Sequence, residues 1–160
     1  MVSKTTKTIT LILSIGIMIT SFLPIDFYIV GISKNCSLEQ RLVYHFFHVG
    51  FFHALTNSIA LLSISFSRNL YCWQLIAAYA IAITIPQLCL YDKPTVGLSA
   101  IIYALFGIIS LSAKRKVIYN IFIVVCISIG FLFPYSNALI HLYCYIGGFV
   151  VSVLTTPIKI

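Results

Sequence analysis

The sequence predicts an all-α membrane bundle, on three observations. Hydrophobic residues fill 61% of the 160 positions and charged residues 8%. A soluble domain carries about a quarter charged residues, so 10 Lys and Arg with 3 Asp and Glu could not solvate a chain of this length. Mean hydropathy is +1.07. The apolar residues also gather into six segments: 8–30, 49–66, 70–90, 96–113, 117–133 and 138–155. A helical span needs about 20 apolar residues, so six spans and their loops account for the whole chain. We read one polytopic domain over residues 1–160, a six-transmembrane-helix bundle in contact with the lipid bilayer. The net charge of +7 would suggest a nucleic-acid partner in a soluble protein. Here the charges sit apart in short loops, and no nucleic acid is expected.

Each segment is read as a helix because backbone polar groups cannot go unpaired in lipid. Segment 8–30 contains Pro24 and Asp26. Its helix either kinks at Pro24 or ends there with Asp26 at the interface. Lys4 and Lys7 precede it as in a signal peptide. No small-residue cleavage site follows and the run is long, so it is read as an anchor. The other five segments are shorter and free of acidic residues.

Loop charges set the direction. With the N-terminus inside, the inner segments hold Lys4, Lys7, Arg68, Lys114, Arg115, Lys116 and Lys159. The outer ones hold Lys34, Arg41 and Lys93 with all three acids, Asp26, Glu39 and Asp92. Seven basic residues against three fits the positive-inside rule. Both termini are therefore expected to be cytoplasmic, in a bacterial inner membrane. Cys36, Cys72, Cys89, Cys126 and Cys144 show no CxxC or metal-ligand spacing and are read as packing residues. No metal and no cofactor is expected.

Polar side chains inside spans are costly and mark functional candidates. His53 and Asn57 lie in the second segment, Ser99 in the fourth and His141 in the sixth. Ser99 and His141 are three residues into their segments and His53 is four. At about 1.5 Å per residue, all three sit roughly 5 Å below the outer start of their helices. Asn57 is one turn deeper than His53 on the same face. A hydroxyl becomes a nucleophile when a base takes its proton, and His is the usual base. The plainer readings are a Ser bonded to a backbone carbonyl and a His that is a structural hydrogen-bond partner. No carboxylate reaches this level, so nucleophilic chemistry would use a dyad. Tyr103, four residues after Ser99, is a candidate packing partner for the imidazole.

Three blocks resemble the rhomboid family of intramembrane serine proteases. His48-Val-Gly-Phe-Phe-His53-Ala-Leu-Thr-Asn57 is similar to the family's H-x4-H-x3-N pattern. Gly97-Leu-Ser99, followed by Tyr103 and Gly107, is similar to its G-x-S-G stretch. Asn137-Ala-Leu-Ile-His141, with Gly148 beyond it, is similar to its sixth-helix histidine and glycines. The resemblance covers residues 48 to about 150. It implies Ser99 as nucleophile, His141 as general base, and His53 and Asn57 as oxyanion stabilisers with the Ser99 N–H. It implies Tyr103 as the residue stacked on the base and His48 as a structural histidine, while Gly97 opens the serine motif. Ala100 and Cys144 stand where the family has glycines, and Arg41 matches its basic first-loop residue only loosely. Cys144, Gly148 and Ser152 form a small-residue stripe, as do Gly97, Ala100, Ala104 and Gly107.

The implied activity is cleavage of single-pass transmembrane proteins near the outer interface. The alternative is a catalytically inactive relative that binds or routes membrane proteins. Such relatives have usually lost the Ser or the His, and this chain keeps both. A channel would need ionisable residues along a whole path, and below Asn57 the segments offer hydroxyls and cysteines.

Overall fold

The computed structural model describes residues 2–133 and 136–156. Met1 and residues 157–160, including Lys159 of the predicted inner side, lie outside the described residues. Helices α1 (Val2–Thr20), α2 (Phe27–Val30), α3 (Leu38–Val43), α4 (Phe51–Ser67), α5 (Cys72–Ile83), α6 (Ser99–Ile108), α7 (Lys116–Gly130) and α8 (Ala138–Thr155) follow one another, with short 3-10 turns between some of them. Extended pairing among the described residues is confined to one isolated bridge, Ile32 to Thr95.

The chain departs from the predicted segments mainly at their ends. The first segment breaks at Thr20, and Asp26 caps α2 by accepting from the Tyr28 N–H at 2.9 Å. Pro24 disfavours helical backbone at the residue before it. The third segment ends at Ile83 rather than at residue 90, since Pro86 follows closely. Its loosened carbonyls are taken up by Arg41, whose guanidinium donates to Ile83 O at 3.3 Å and Ile85 O at 2.6 Å. α6 is shorter than its segment at both ends, starting on Ser99 itself. The fifth segment starts one residue early, at Lys116, and ends at Gly130. The sixth, residues 138–155, coincides with α8.

α8 has 18 residues at a mean hydropathy of 1.8 and is by itself long and apolar enough to cross a membrane. α5, α6 and α7 are shorter apolar helices, and the stretch Leu38–Phe46 meets α4 in a bent pair at 85°. Apolar side chains such as Ile12, Phe52, Ile76, Phe122 and Leu154 face outward. Thr6, Thr10, Ser14, Ser58 and Ser65 are buried between helices. Thr10 Oγ1 donates to Ser65 Oγ at 2.8 Å across α1 and α4. Small polar residues at interfaces with an apolar exterior suit helices packed in lipid, where backbones approach closely.

α6 is the central helix. Ala100, Ile101, Ile102, Ala104, Leu105, Gly107 and Ile108 are all buried, with α5, α8 and α4 around them. Its packing on α8 is backbone against backbone. A Cβ on Gly148 would lie 2.0 Å from the Ala104 carbonyl oxygen, and one on Gly107 2.2 Å from that of Tyr145. Ala104 and Gly107 of one predicted stripe thus face Gly148 of the other, whereas Gly97 lies before α6 and abuts His53 of α4 instead. Both departures from the glycine pattern, Ala100 and Cys144, are buried at 1% and 0% exposure. α7 packs more lightly, through Ile123 and Ile127 against Tyr103, Phe106 and Tyr145. Tyr145 Oη also donates to Asn120 Oδ1 across α7 and α8.

Candidate functional site

The site forms where the starts of α4, α6 and α8 converge. The segment before α6 is tied on three sides. Thr95 pairs with Ile32 through both backbone hydrogen bonds, 2.8 and 2.9 Å. The Gly97 N–H donates to Tyr44 O at 3.0 Å. The Leu98 N–H donates to His48 Nε2 at 3.2 Å, so the buried imidazole is an acceptor there. Gly97 has φ +129°, and a Cβ on it would lie 2.9 Å from His53 Cε1. Glycine is therefore required there by conformation and by contact.

These ties place Ser99 as the first residue of α6. The first-turn N–H groups of a helix have no intrahelical acceptor, and its dipole favours negative charge at that end. His141 lies in the first turn of α8, behind its N-cap Asn137. His141 Nε2 is 2.9 Å from Ser99 Oγ. With the imidazole neutral and its proton on Nδ1, the serine hydroxyl donates to Nε2. Tyr103, one turn below Ser99, stacks on the imidazole with centroids 4.3 Å apart and planes 17° apart. The ring fixes the imidazole plane where no carboxylate does.

His53 and Asn57 approach from α4. His53 is half-buried and sits edge-on to His48, with ring centroids 4.9 Å apart. Asn57 is 7% exposed, and its Nδ2 has no hydrogen-bond partner among the described residues. That nitrogen is 3.6 Å from where a Gly97 Cβ would stand, so it borders the turn leading into Ser99. Buried polar groups are almost always bonded, and Asn57 shares its unpaired state with Ser14 Oγ, Ser110 Oγ, His48 Nδ1 and both ring nitrogens of His45. What sets Asn57 apart is its place beside the turn into Ser99. Counted from the observed helix starts, Ser99, His53 and His141 are not equally deep in their helices. The tertiary bends bring them together all the same.

Two structural features had only a faint signal in the sequence, or none. Asn137 Oδ1 caps α8 by accepting from the Ile140 N–H at 3.3 Å. An Asn just before an apolar run is the visible signal for such a cap. Thr95, which links to Asn137, has no comparable signature. His45 is fully buried in the connection before α4, with its ring centroid 3.7 Å from that of Tyr44. Burial pushes His45 down to about 3. It pushes His48 down to about 3 as well, with His53 adding a smaller push in the same direction. Among the described residues no group of three His, Cys, Asp or Glu side chains could hold a metal ion.

A family model described as the Rhomboid domain matches residues 35–160. No curated protein and no solved structure matches the chain.

Proposed function

The chain belongs to the Rhomboid domain family, whose members are integral membrane proteins, and from that premise we propose that it is an intramembrane serine protease acting through a Ser99–His141 dyad. The observation that carries the reading is the 2.9 Å approach of His141 Nε2 to Ser99 Oγ. In the acylation step Ser99 Oγ attacks the scissile carbonyl carbon while its proton passes to His141 Nε2. The new oxyanion accepts from the Ser99 N–H, from Asn57 Nδ2 and from His53. As the C–N bond breaks, His141 returns the proton to the leaving amine. Water then hydrolyses the acyl-enzyme by the same route.

Water has a reason to reach this depth. α6 is a 10-residue helix, about 15 Å long against a hydrocarbon core of about 30 Å. A helix this short leaves part of the core to other backbone, and on this reading its start lies below the outer surface, after the non-helical stretch 96–98. Non-helical backbone at that depth is tolerated where protein buries it or water lines it. We take α1, α4, α5, α6, α7 and α8 as the six spans, with α4, α6 and α8 entering from the outer face and both termini in the cytoplasm. The substrates would be single-pass transmembrane proteins cut near the outer interface.

Fluorophosphonate labelling of the purified protein in detergent tests the reading. Wild type should be labelled at Ser99 and should cleave a transmembrane substrate, and Ser99→Ala and His141→Ala should each abolish both. The double variant should be no worse than either single one, since members of a catalytic unit are non-additive. Turnover near wild type in Ser99→Ala would sink the proposal. A well-folded wild type that neither labels nor cleaves would point to the inactive, partner-binding alternative.

A further inference from the structure

The dyad joins two helices that are far apart in sequence, and something must hold their first turns in register. The outer end of α8 is anchored by Asn137, which is 4% exposed and uses both ends of its amide. Its Oδ1 caps its own helix at the Ile140 N–H, and its carbonyl accepts from the His141 N–H at 3.3 Å. Its Nδ2 leaves the helix and donates to Thr95 Oγ1 at 3.5 Å. Thr95 is itself clamped from the opposite side by the two backbone bonds to Ile32. That clamp is tight. A Cβ on Gly31 would lie 2.9 Å from Pro94 Cβ and 3.1 Å from Val96 Cγ1. Thr95 stands four residues before Ser99, and Asn137 four before His141. One side-chain bond thus joins the chain segments that deliver the two reacting groups, on the outer side of both.

We propose that Asn137 and Thr95 are positioning residues that set the distance between Ser99 and His141; the assignment rests on the dyad reading above. Neither side chain touches the reacting atoms. They act by fixing the start of α8 against the turn into α6. The long Nδ2–Oγ1 distance suits a trimming contact laid over the main α6–α8 packing. Its loss should therefore alter alignment more than stability. A catalytic hydrogen bond is sensitive to such alignment, since a misplacement of about 1 Å can cost about 10²-fold in rate.

The test separates the cap from the cross-link. Thr95→Val removes the acceptor hydroxyl while leaving the backbone bridge to Ile32, and Thr95→Ser keeps the hydroxyl. Asn137→Ser keeps an N-cap oxygen but is too short to reach Thr95. Labelling rate at Ser99, kcat, KM and melting temperature are measured on the same detergent samples of the full chain. Thr95→Val and Asn137→Ser should each lower labelling rate and kcat by about tenfold with KM little changed. Melting temperatures should stay within about 2 °C of wild type. Thr95→Ser should restore the rate, and the double variant should match the single ones, as for two ends of one contact. Wild-type labelling and turnover in Thr95→Val would overturn the proposal while leaving the dyad intact. Loss of activity only in proportion to lost fold would overturn it too, by making the contact purely structural. Absence of labelling in the wild type would overturn the dyad and this inference together.

Discussion

Adding one methyl at Gly148 attacks a backbone-to-backbone contact between α6 and α8. Its Cβ would stand 2.0 Å from the Ala104 carbonyl oxygen, 2.9 Å from the Ala104 carbonyl carbon and 3.0 Å from the Ile108 nitrogen, where ordinary contact begins at 3.4 Å. All three neighbours are backbone, so no side chain can swing aside. α6 and α8 would have to separate locally by about 1 Å. Overpacking a tight core costs about 1–3 kcal/mol. The same displacement acts on the dyad, which spans these two helices. A 2.9 Å contact between Ser99 and His141 lengthened by about 1 Å is no longer a hydrogen bond, and a loss of about 10²-fold in rate follows. Gly148→Ala should therefore lower both the melting temperature and the Ser99 labelling rate, with the rate falling beyond the unfolded fraction. Gly107→Ala, whose Cβ would meet the Tyr145 carbonyl at 2.2 Å, should do the same. Gly16→Ala is the control. Nothing lies within 4 Å of its added Cβ inside α1, so the change should be neutral or stabilise by up to about 1 kcal/mol. Thermal unfolding in detergent and fluorophosphonate labelling on matched samples would check all three. A Gly148→Ala protein with wild-type melting and labelling would refute the reasoning, because the α6–α8 contact would then not be as close as described.

Asn57→Ala should lower kcat by about 10²–10³-fold with KM nearly unchanged, as for loss of one oxyanion donor; well-folded protein with unaltered cleavage would remove Asn57 from the chemistry. His53→Ala should behave likewise and lose some melting temperature as well, because its ring packs on His48. His45 and His48 lie in the connection before α4, outside the six spans proposed above, and burial depresses both to about 3, against about 6.5 in an unfolded chain. Between those values the unfolded chain binds more protons, so their stabilisation is complete above about pH 6.5 and is lost as the pH falls towards 3, by an amount on the order of a few kcal/mol. Melting temperature in detergent should accordingly drop between pH 7 and pH 4, with a shallower slope in His45→Phe; an unchanged slope in that variant would contradict the assignment. Reporter fusions after Lys116 and after Ile160 should both report the cytoplasmic side, and opposite signals would mean an odd number of spans between them.

Composition alone determined the class of this protein. A chain with 8% charged residues has to place apolar side chains outward, and its polar backbone then leaves helices as the economical solution. The ordered blocks around His53 and Asn57, Ser99 and His141 carried the family, since each chemistry-bearing residue comes with its local pattern. The apolar run alone also placed α8 correctly, because the helix follows that run from end to end. Apolar runs placed the other helices less well. Hydropathy does not separate a helix from the apolar backbone that adjoins it, such as 84–90 with its short 3-10 turn and 96–98 before α6. What ends α5 is Pro86 together with Arg41, which comes from more than 40 residues upstream to take the Ile83 and Ile85 carbonyls. What starts α6 at Ser99 is a set of bonds from Ile32, Tyr44 and His48. Position along each separate helix therefore does not by itself fix the distances between these groups. Only the tertiary structure decides that Ser99 Oγ and His141 Nε2 meet, because their separation depends on how closely Gly107 and Gly148 let two backbones approach.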